Sequence, residues 1–260
     1  MSETAERQRN PVSRAFHVLA WMADQRGEDW GLRQVAAGVG MHPSTVHRLL
    51  SMLEVENLVR QDVESGRYGL GADFLRLAWK TATRDSLAQL AHPALRRLRD
   101  ETGETANLGI YDSGRRAMLL VSSVESQHAV RNIRPLYTWM PVHGGATGRA
   151  LLAFLGREER EAVLAGELPA VTDATITDRD ALARNLEEVR RKGYALSRGE
   201  RVAGGVGIAA PVVGAGGRLA GVVGITMPEQ RFARDDEPRL APLVVAAARD
   251  LAARLGAGDP

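Results

Sequence analysis

Apolar residues over positions 12–53 recur at the three-to-four spacing of helices, and two short runs of strand type follow them. Val12 to Met22 reads as an amphipathic helix with Val12, Ala15, Phe16, Leu19 and Ala20 facing inward. Leu32, Val35 and Ala36 give a shorter helix one apolar face, and Gly38 and Gly40 around Val39 supply the backbone freedom of a sharp exit. The next helix, Pro43 to Glu56, opens at His42-Pro43-Ser44-Thr45. Proline suits its first turn, where a missing N–H costs nothing, and a short polar residue can cap the free amides. Val46, Leu49, Leu50 and Leu53 form the buried face of that helix, leaving Ser44, Thr45, His47, Arg48 and Ser51 outside. Leu58-Val59-Arg60-Gln61 and Arg67-Tyr68-Gly69-Leu70, joined by Glu64-Ser65-Gly66, complete the region as a hairpin.

Helix, turn, helix and hairpin in that order predict a winged helix-turn-helix. An ordinary helical hairpin in a globular core shares the two-helix pattern, but the wing directly after the second helix favours DNA binding. Hydroxyls and an arginine near the start of an exposed helix can reach phosphates and base edges in a major groove. The predicted DNA-binding residues are Arg14, Arg33, Ser44, Thr45, His47, Arg48 and Arg67, with Arg60 a further basic candidate.

Beyond the wing, Ala72 to Thr83 is helical in pattern, with Phe74, Leu75, Leu77, Ala78 and Trp79. It lacks the Pro, Gly and Ser bias of a flexible tether and fits a rigid linker helix that pairs with its symmetry mate. From Asp85 the pattern becomes mixed. Helices are expected at Ser86–Glu101, Thr147–Leu155, Glu158–Leu164, Arg179–Lys192 and Asp235–Leu255. Strands are expected at Ala106–Tyr111, Ala117–Ser123, Ala129–Ile133, Tyr194–Ser197, Gly207–Val213 and Leu219–Met227, with a hairpin turn at Gly214–Gly217. The expected fold class is α+β, in three parts: a winged helix-turn-helix over 1–72, a linker helix over 73–84, and an α/β domain over 85–257 resembling the GAF and PAS class.

Composition narrows the function. The 260 residues include no cysteine, which excludes disulfides, zinc-finger thiolates and thiol catalysis. No apolar run reaches the roughly 18–20 residues of a membrane span, and the polar MSETAERQRN start has no signal-peptide core, so a cytoplasmic location is expected. The net charge is only +2, so any phosphate-binding surface is a local patch. Weak single domains gain affinity when two half-sites are engaged together, which points to an oligomer on a palindromic operator.

Three stretches then carry a family resemblance: GMHPSTVHRLLSMLEVENLV with SGRYGLG, MPVHGGATGRALLAF, and GVGIAAPVVGAGGRLAGVVGITMP. In this order and spacing the chain resembles the IclR family of bacterial transcriptional regulators over nearly its whole length. The resemblance implies a homodimer or dimer of dimers that acts as repressor or activator. Its C-terminal domain would bind a small organic acid or aromatic metabolite. Mapped by motif, that pocket is lined by Met140, Ala146, Thr147, Ser197, Gly207, Gly224 and Thr226. Relatives often carry an acid near Ser197, a cysteine at Gly207 and a hydroxyl at Gly224, so the resemblance implies a roomier, more apolar cavity here. Backbone amides at Ala146 and Thr147 are expected to hold a carboxylate.

Other conspicuous residues have plainer readings. His143 is expected to be a structural hydrogen-bonder, and His42 and His47 are spaced wrongly for a shared metal. Arg131 and Arg134 fit steering of an anionic effector, a solvated role or an interface equally well. Ser122, His143 and Asp173 can be assembled on paper into a triad, yet no nucleophile elbow or metal-protease motif is present. No catalytic group, metal or cofactor is expected. The alternative to an effector-controlled regulator is a DNA-binding protein whose C-terminal domain only oligomerises.

Overall fold

The computed structural model describes residues 10–84, 86–233 and 235–256, and the chain divides into two compact units, 1–85 and 86–260. The polar stretch 1–9, the boundary residue Asp85 and the side chain of Trp79 lie outside the described residues.

The first unit opens with α1 (Pro11–Asp24), capped by the Asn10 side chain on the Val12 amide. It continues through β1 (Asp29–Trp30), α2 (Leu32–Val39), α3 (Pro43–Val55), β2 (Val59–Gln61), β3 (Tyr68–Leu70) and α4 (Ala72–Arg84). The inward face of α1 differs from the expected one. Val12 and Phe16 are 63% and 67% exposed and Ala20 is exposed, whereas Val18, Leu19 and Met22 are buried and Ala15 is half-buried. Two stripes at helical spacing overlap on this helix, and the one carrying Met22 wins because it meets Val35, Val46 and Leu50 in one core.

Gly38 also has a different role. It lies inside α2, and a Cβ there would stand 2.1 Å from the ring of Trp21, so the glycine lets the helix approach that indole. Gly40, at φ +64°, makes the left-handed exit. The hairpin is a three-stranded sheet, because β1 pairs with β3 through Trp30–Tyr68 and Asp29–Gly69. A two-residue strand has too short an alternation to show in the sequence.

The second unit holds α5 (Ser86–Thr102), β4 (Thr105–Asp112), β5 (Ala117–Val124), β6 (Trp139–Pro141), α6 (Gly145–Phe154), α7 (Arg157–Ala165) and α8 (Arg179–Lys192). It ends with β7 (Ala195–Arg198), β8 (Gly205–Val213), β9 (Leu219–Pro228) and α9 (Asp236–Gly256). One antiparallel sheet runs in the order β6-β5-β4-β9-β8-β7. Strand alternation sends Leu108, Ile208, Val223 and Ile225 to one face, where α5 and α9 cover them. Val222, Ala209 and Leu120 point to the other, under α6, α7 and α8.

The expected strand at Ala129–Ile133 is coil. Arg231, from outside the segment, donates to the Val130 carbonyl at 2.6 Å, and the segment's own Asn132 donates to that of Met227 in β9 at 2.9 Å. The edge position goes instead to β6, at Trp139–Pro141. Among the described residues no helix is long and apolar enough to cross a membrane.

Candidate nucleic-acid interface and effector pocket

The exposed side of α3 is built by what lies behind it. Val46, Leu49, Leu50 and Leu53 are at most 6% exposed and anchor the helix, so Ser44, His47, Arg48 and Ser51 must project outward. The cap at its start is a histidine and not a short polar residue. His42 Nδ1 accepts from the Ser44 amide at 3.4 Å and from its hydroxyl at 2.8 Å. Thr45 is half-buried and shares a polar hollow of about 320 Å³ with Arg14, His17, Gly40 and His42. Two predicted DNA-binding residues from different helices thus meet at the start of α3. Arg33 lies exposed on α2 and was not brought into that hollow.

In the wing, Arg67 is exposed and donates to the Asp29 carbonyl at 2.7 Å, keeping its charge uncompensated by that neutral group. Arg60 differs, since it pairs with the Asp29 carboxylate at 2.8 Å. At the wing tip Asp62 takes the Ser65 amide and hydroxyl at 2.7 and 2.6 Å, which shapes the turn. Asn57, in the left-handed region at φ 54°, donates to Asp73 of α4 at 3.2 Å and ties that helix to the end of α3.

In the second unit, cross-strand register brings most of the predicted pocket residues together. Ser197, Gly207, Thr226 and Thr105 are successive partners across β7, β8, β9 and β4. Gly224 lies two residues from Thr226, on the same face, and pairs with Asn107. The start of α6 sits above them. A Cβ at Gly207 would meet that of Ala146 at 3.3 Å, and one at Gly109 would meet the Thr147 methyl at 3.0 Å. The small residue at 207 therefore lets the helix approach the sheet. At Gly224 a Cβ would lie 2.9 Å from Ala209 Cβ and from the Ile208 carbonyl. Neither glycine simply adds empty volume, as the family resemblance had implied. Met140 lies elsewhere, lining a cleft of about 460 Å³ with Trp139, His143 and Pro169 whose walls hold none of the other predicted pocket residues.

The first amides of α6 are already engaged. Ser197 Oγ accepts from Ala146 N at 2.9 Å, and Glu200 Oε2 accepts from Gly145 N at 3.2 Å. The Ala146 amide, one of the two expected to hold an effector carboxylate, is thus taken by the Ser197 hydroxyl, and the chain's own carboxylate stands one residue earlier, on Gly145. Glu200 also pairs with Arg149 at 2.6 Å, and Arg149 donates to the Leu196 carbonyl at 2.5 Å and to Asn185. Burial raises the Glu200 carboxyl above the usual range, against the pull of Arg149, and lowers the Arg149 guanidinium. Arg201 donates to the Pro141 carbonyl at 2.6 Å and to that of Gly144. Burial first and the charge of Arg134 second bring Arg201 down to about 10.

His143 is 2% exposed and donates through Nε2 to the Pro169 carbonyl at 2.9 Å, a structural role. Two polar atoms on the α6 side of the sheet have no hydrogen-bond partner, Asn107 Oδ1 and Thr226 Oγ1, on residues 2% and 3% exposed. Asn107, Glu200, Arg149 and Arg201 were not among the predicted site residues. The alternation Thr105-Ala106-Asn107-Leu108 was the available sign that Asn107 faces away from the apolar side. The roles of the three charged residues depend on contacts 36–60 positions apart and had no local sign.

Comparison with known proteins agrees in both units. The model of the IclR helix-turn-helix domain matches residues 11–63, and that of the bacterial transcriptional regulator IclR C-terminal domain matches residues 79–253. The chain is 33% identical to the HTH-type transcriptional regulator BhcR of Paracoccus denitrificans, over 92% of this chain and 85% of that protein. It is 34% identical to the glycerol operon regulatory protein of Streptomyces coelicolor, over 88% and 89%. Among solved structures, an IclR homolog from Microbacterium hydrocarbonoxydans complexed with 4-hydroxybenzoate superposes with a TM-score of 0.82 at 26% identity, over 96% of this chain and all of that one.

Proposed function

The chain belongs to the IclR family of bacterial transcriptional regulators, and from that premise we propose that its affinity for operator DNA is set by a small organic acid or aromatic metabolite held between α6 and the sheet. The observation that carries the effector half is the pair of buried, unpartnered atoms on Asn107 and Thr226. A buried polar group without a partner costs about 1–3 kcal/mol, and a ligand that satisfies it recovers that loss. The similarity to a structure complexed with 4-hydroxybenzoate supports the same reading. The DNA half rests on the outward residues of α3. Ser44, Thr45 and Arg48 meet base edges and phosphates, while Arg14, Arg33, His47 and Arg67 add backbone contacts.

Two copies bind a palindromic site, their recognition helices in successive major grooves. Phe16 and Leu75, 67% and 61% exposed, supply apolar surface for pairing. The test is fluorescence anisotropy of the full-length protein on DNA from its own upstream region, with and without a panel of small carboxylates and aromatic acids. An acid that shifts DNA affinity supports the reading. DNA binding indifferent to every ligand returns the second domain to a purely oligomerising role.

A further inference from the structure

The cleft that holds Met140 lies at the β6 edge of the sheet and shares no other residue with the pocket expected beneath α6. It is enclosed by β6, the turn between β4 and β5, α7, and the stretch from α7 to Pro169. Its volume, about 460 Å³, falls within the roughly 300–1,000 Å³ of small-molecule sites. Met140, Val142, Val163 and Pro169 make the lining mainly apolar, and Trp139, 41% exposed, adds an indole to it.

The β4–β5 turn brings the charge. Asp112 accepts from the Arg115 amide at 2.7 Å and Arg116 stands in the left-handed region at φ 48°, a turn that sets two arginines in the lining. Arg116 lies 3.6 Å from Glu159 of α7, a carboxylate that also accepts from the Tyr111 hydroxyl at 2.6 Å. Arg115 differs. Its guanidinium lies 5.0 Å from the centre of the Trp139 ring, and among the described residues no carboxylate pairs with it. Stacking on an indole fixes the plane of a guanidinium and leaves its N–H edge free to grip a carboxylate. Glu167 is the one acid among the residues that line the cleft, so the two arginines leave it an excess of positive charge. A hollow of this size and polarity fits a single ring with an anionic group, not a length of helix.

We propose that this cleft is a second ligand site of the second unit and takes a planar aromatic carboxylate. The ring packs against Met140, Val163 and Trp139, and the carboxylate accepts from the N–H edge of Arg115. The site is separate from the pocket proposed between α6 and the sheet and does not depend on it.

The test uses the full-length protein with benzoate, its neutral amide benzamide, and cyclohexanecarboxylate, which keeps the charge and loses the aromatic ring. Trp139 is the only tryptophan after residue 85, so the emission lost in Trp139→Leu reports on this cleft. Benzoate should change that emission, with an affinity at least about tenfold above that of benzamide, as a charged hydrogen bond implies. Cyclohexanecarboxylate should rank below benzoate. Arg115 is exposed, so Arg115→Gln should keep the fold and abolish the preference for acid over amide. Arg115→Lys should restore only part of it, having the charge without the flat fork. Thr226→Val, in the other pocket, should leave the Trp139 response unchanged. Trp139 emission that no probe moves at millimolar concentration overturns the proposal, as does an acid preference that survives Arg115→Gln. A response abolished by Thr226→Val overturns it by assigning the signal to the other pocket. A smaller assembly for unliganded Trp139→Leu in analytical ultracentrifugation also overturns it, by making the cleft an interface between copies.

Discussion

The two units solve opposite problems with polar groups. In the first, the core is packed from apolar side chains such as Val18, Met22 and Leu50, and the residues proposed to read DNA from α3, Ser44 and Arg48 among them, stand on its outside. In the second, the groups of the proposed effector site are inside. Arg149, Ser197, Glu200 and Thr226 are all less than a tenth exposed, beneath or within the first turns of α6. A DNA-reading surface can be laid over a finished scaffold, because its ligand arrives from solvent. A small-molecule site has to be built into the packing, so its polar groups carry structural duties as well.

That contrast can be broken at four points. The largest effect is expected for Arg149→Ala, which leaves the Glu200 carboxylate buried without its cation and removes donors to Asn185 and Leu196. A loss of about 3–5 kcal/mol is expected, seen in thermal unfolding as early melting of the second unit alone. Leu50→Ala makes the converse cut. With Leu50 fully buried in an apolar core, the cost is about 2–5 kcal/mol, confined to the first unit. If either variant lowered both transitions equally, the two units would not be energetically separate.

Arg48→Ala comes next, and should leave stability unchanged because the side chain is exposed. Operator affinity should fall by about 1–3 kcal/mol if Arg48 reads a guanine. Contact with phosphate alone would weaken all DNA sequences evenly and make the salt dependence shallower. Unchanged affinity would remove Arg48 from the interface.

The smallest effect is a pH dependence. Burial, helped by the charge of Arg201 and opposed by the bond to Pro169, holds His143 below its ordinary value of 6.5. Protonation therefore favours the unfolded chain. The second unit keeps the full contribution of this group above pH 6.5 and loses it as the pH falls toward the lower folded value. His143→Gln, which keeps a donor for the Pro169 carbonyl, should flatten that slope in pH-dependent denaturation. An unaltered slope would clear His143 of the effect.

The same contrast explains what could be read before the structure. The buried face of α3, the extent of α8 and the β8–β9 hairpin follow from local periodicity and turn chemistry, and they stand as expected. Errors arose where two local patterns competed or where distant groups decided. On α1 the stripe through Val12 and Phe16 is as regular as the one through Val18 and Met22, and only the neighbouring helices choose between them. At 129–133 Arg231 takes the Val130 carbonyl and Asn132 fastens the segment to the Met227 carbonyl through its side chain.

Sequence alone determined the order of elements, the apolar and polar faces of the recognition helix, and the family, because each is written in spacing that the backbone converts directly into a face or a turn. Tertiary structure decided the proposed pocket. Which amides of α6 are engaged and which oxygens go unpartnered depend on residues tens of positions apart. Burial sets their charges and register aligns their side chains, and neither is present until the sheet and α6 have closed on one another.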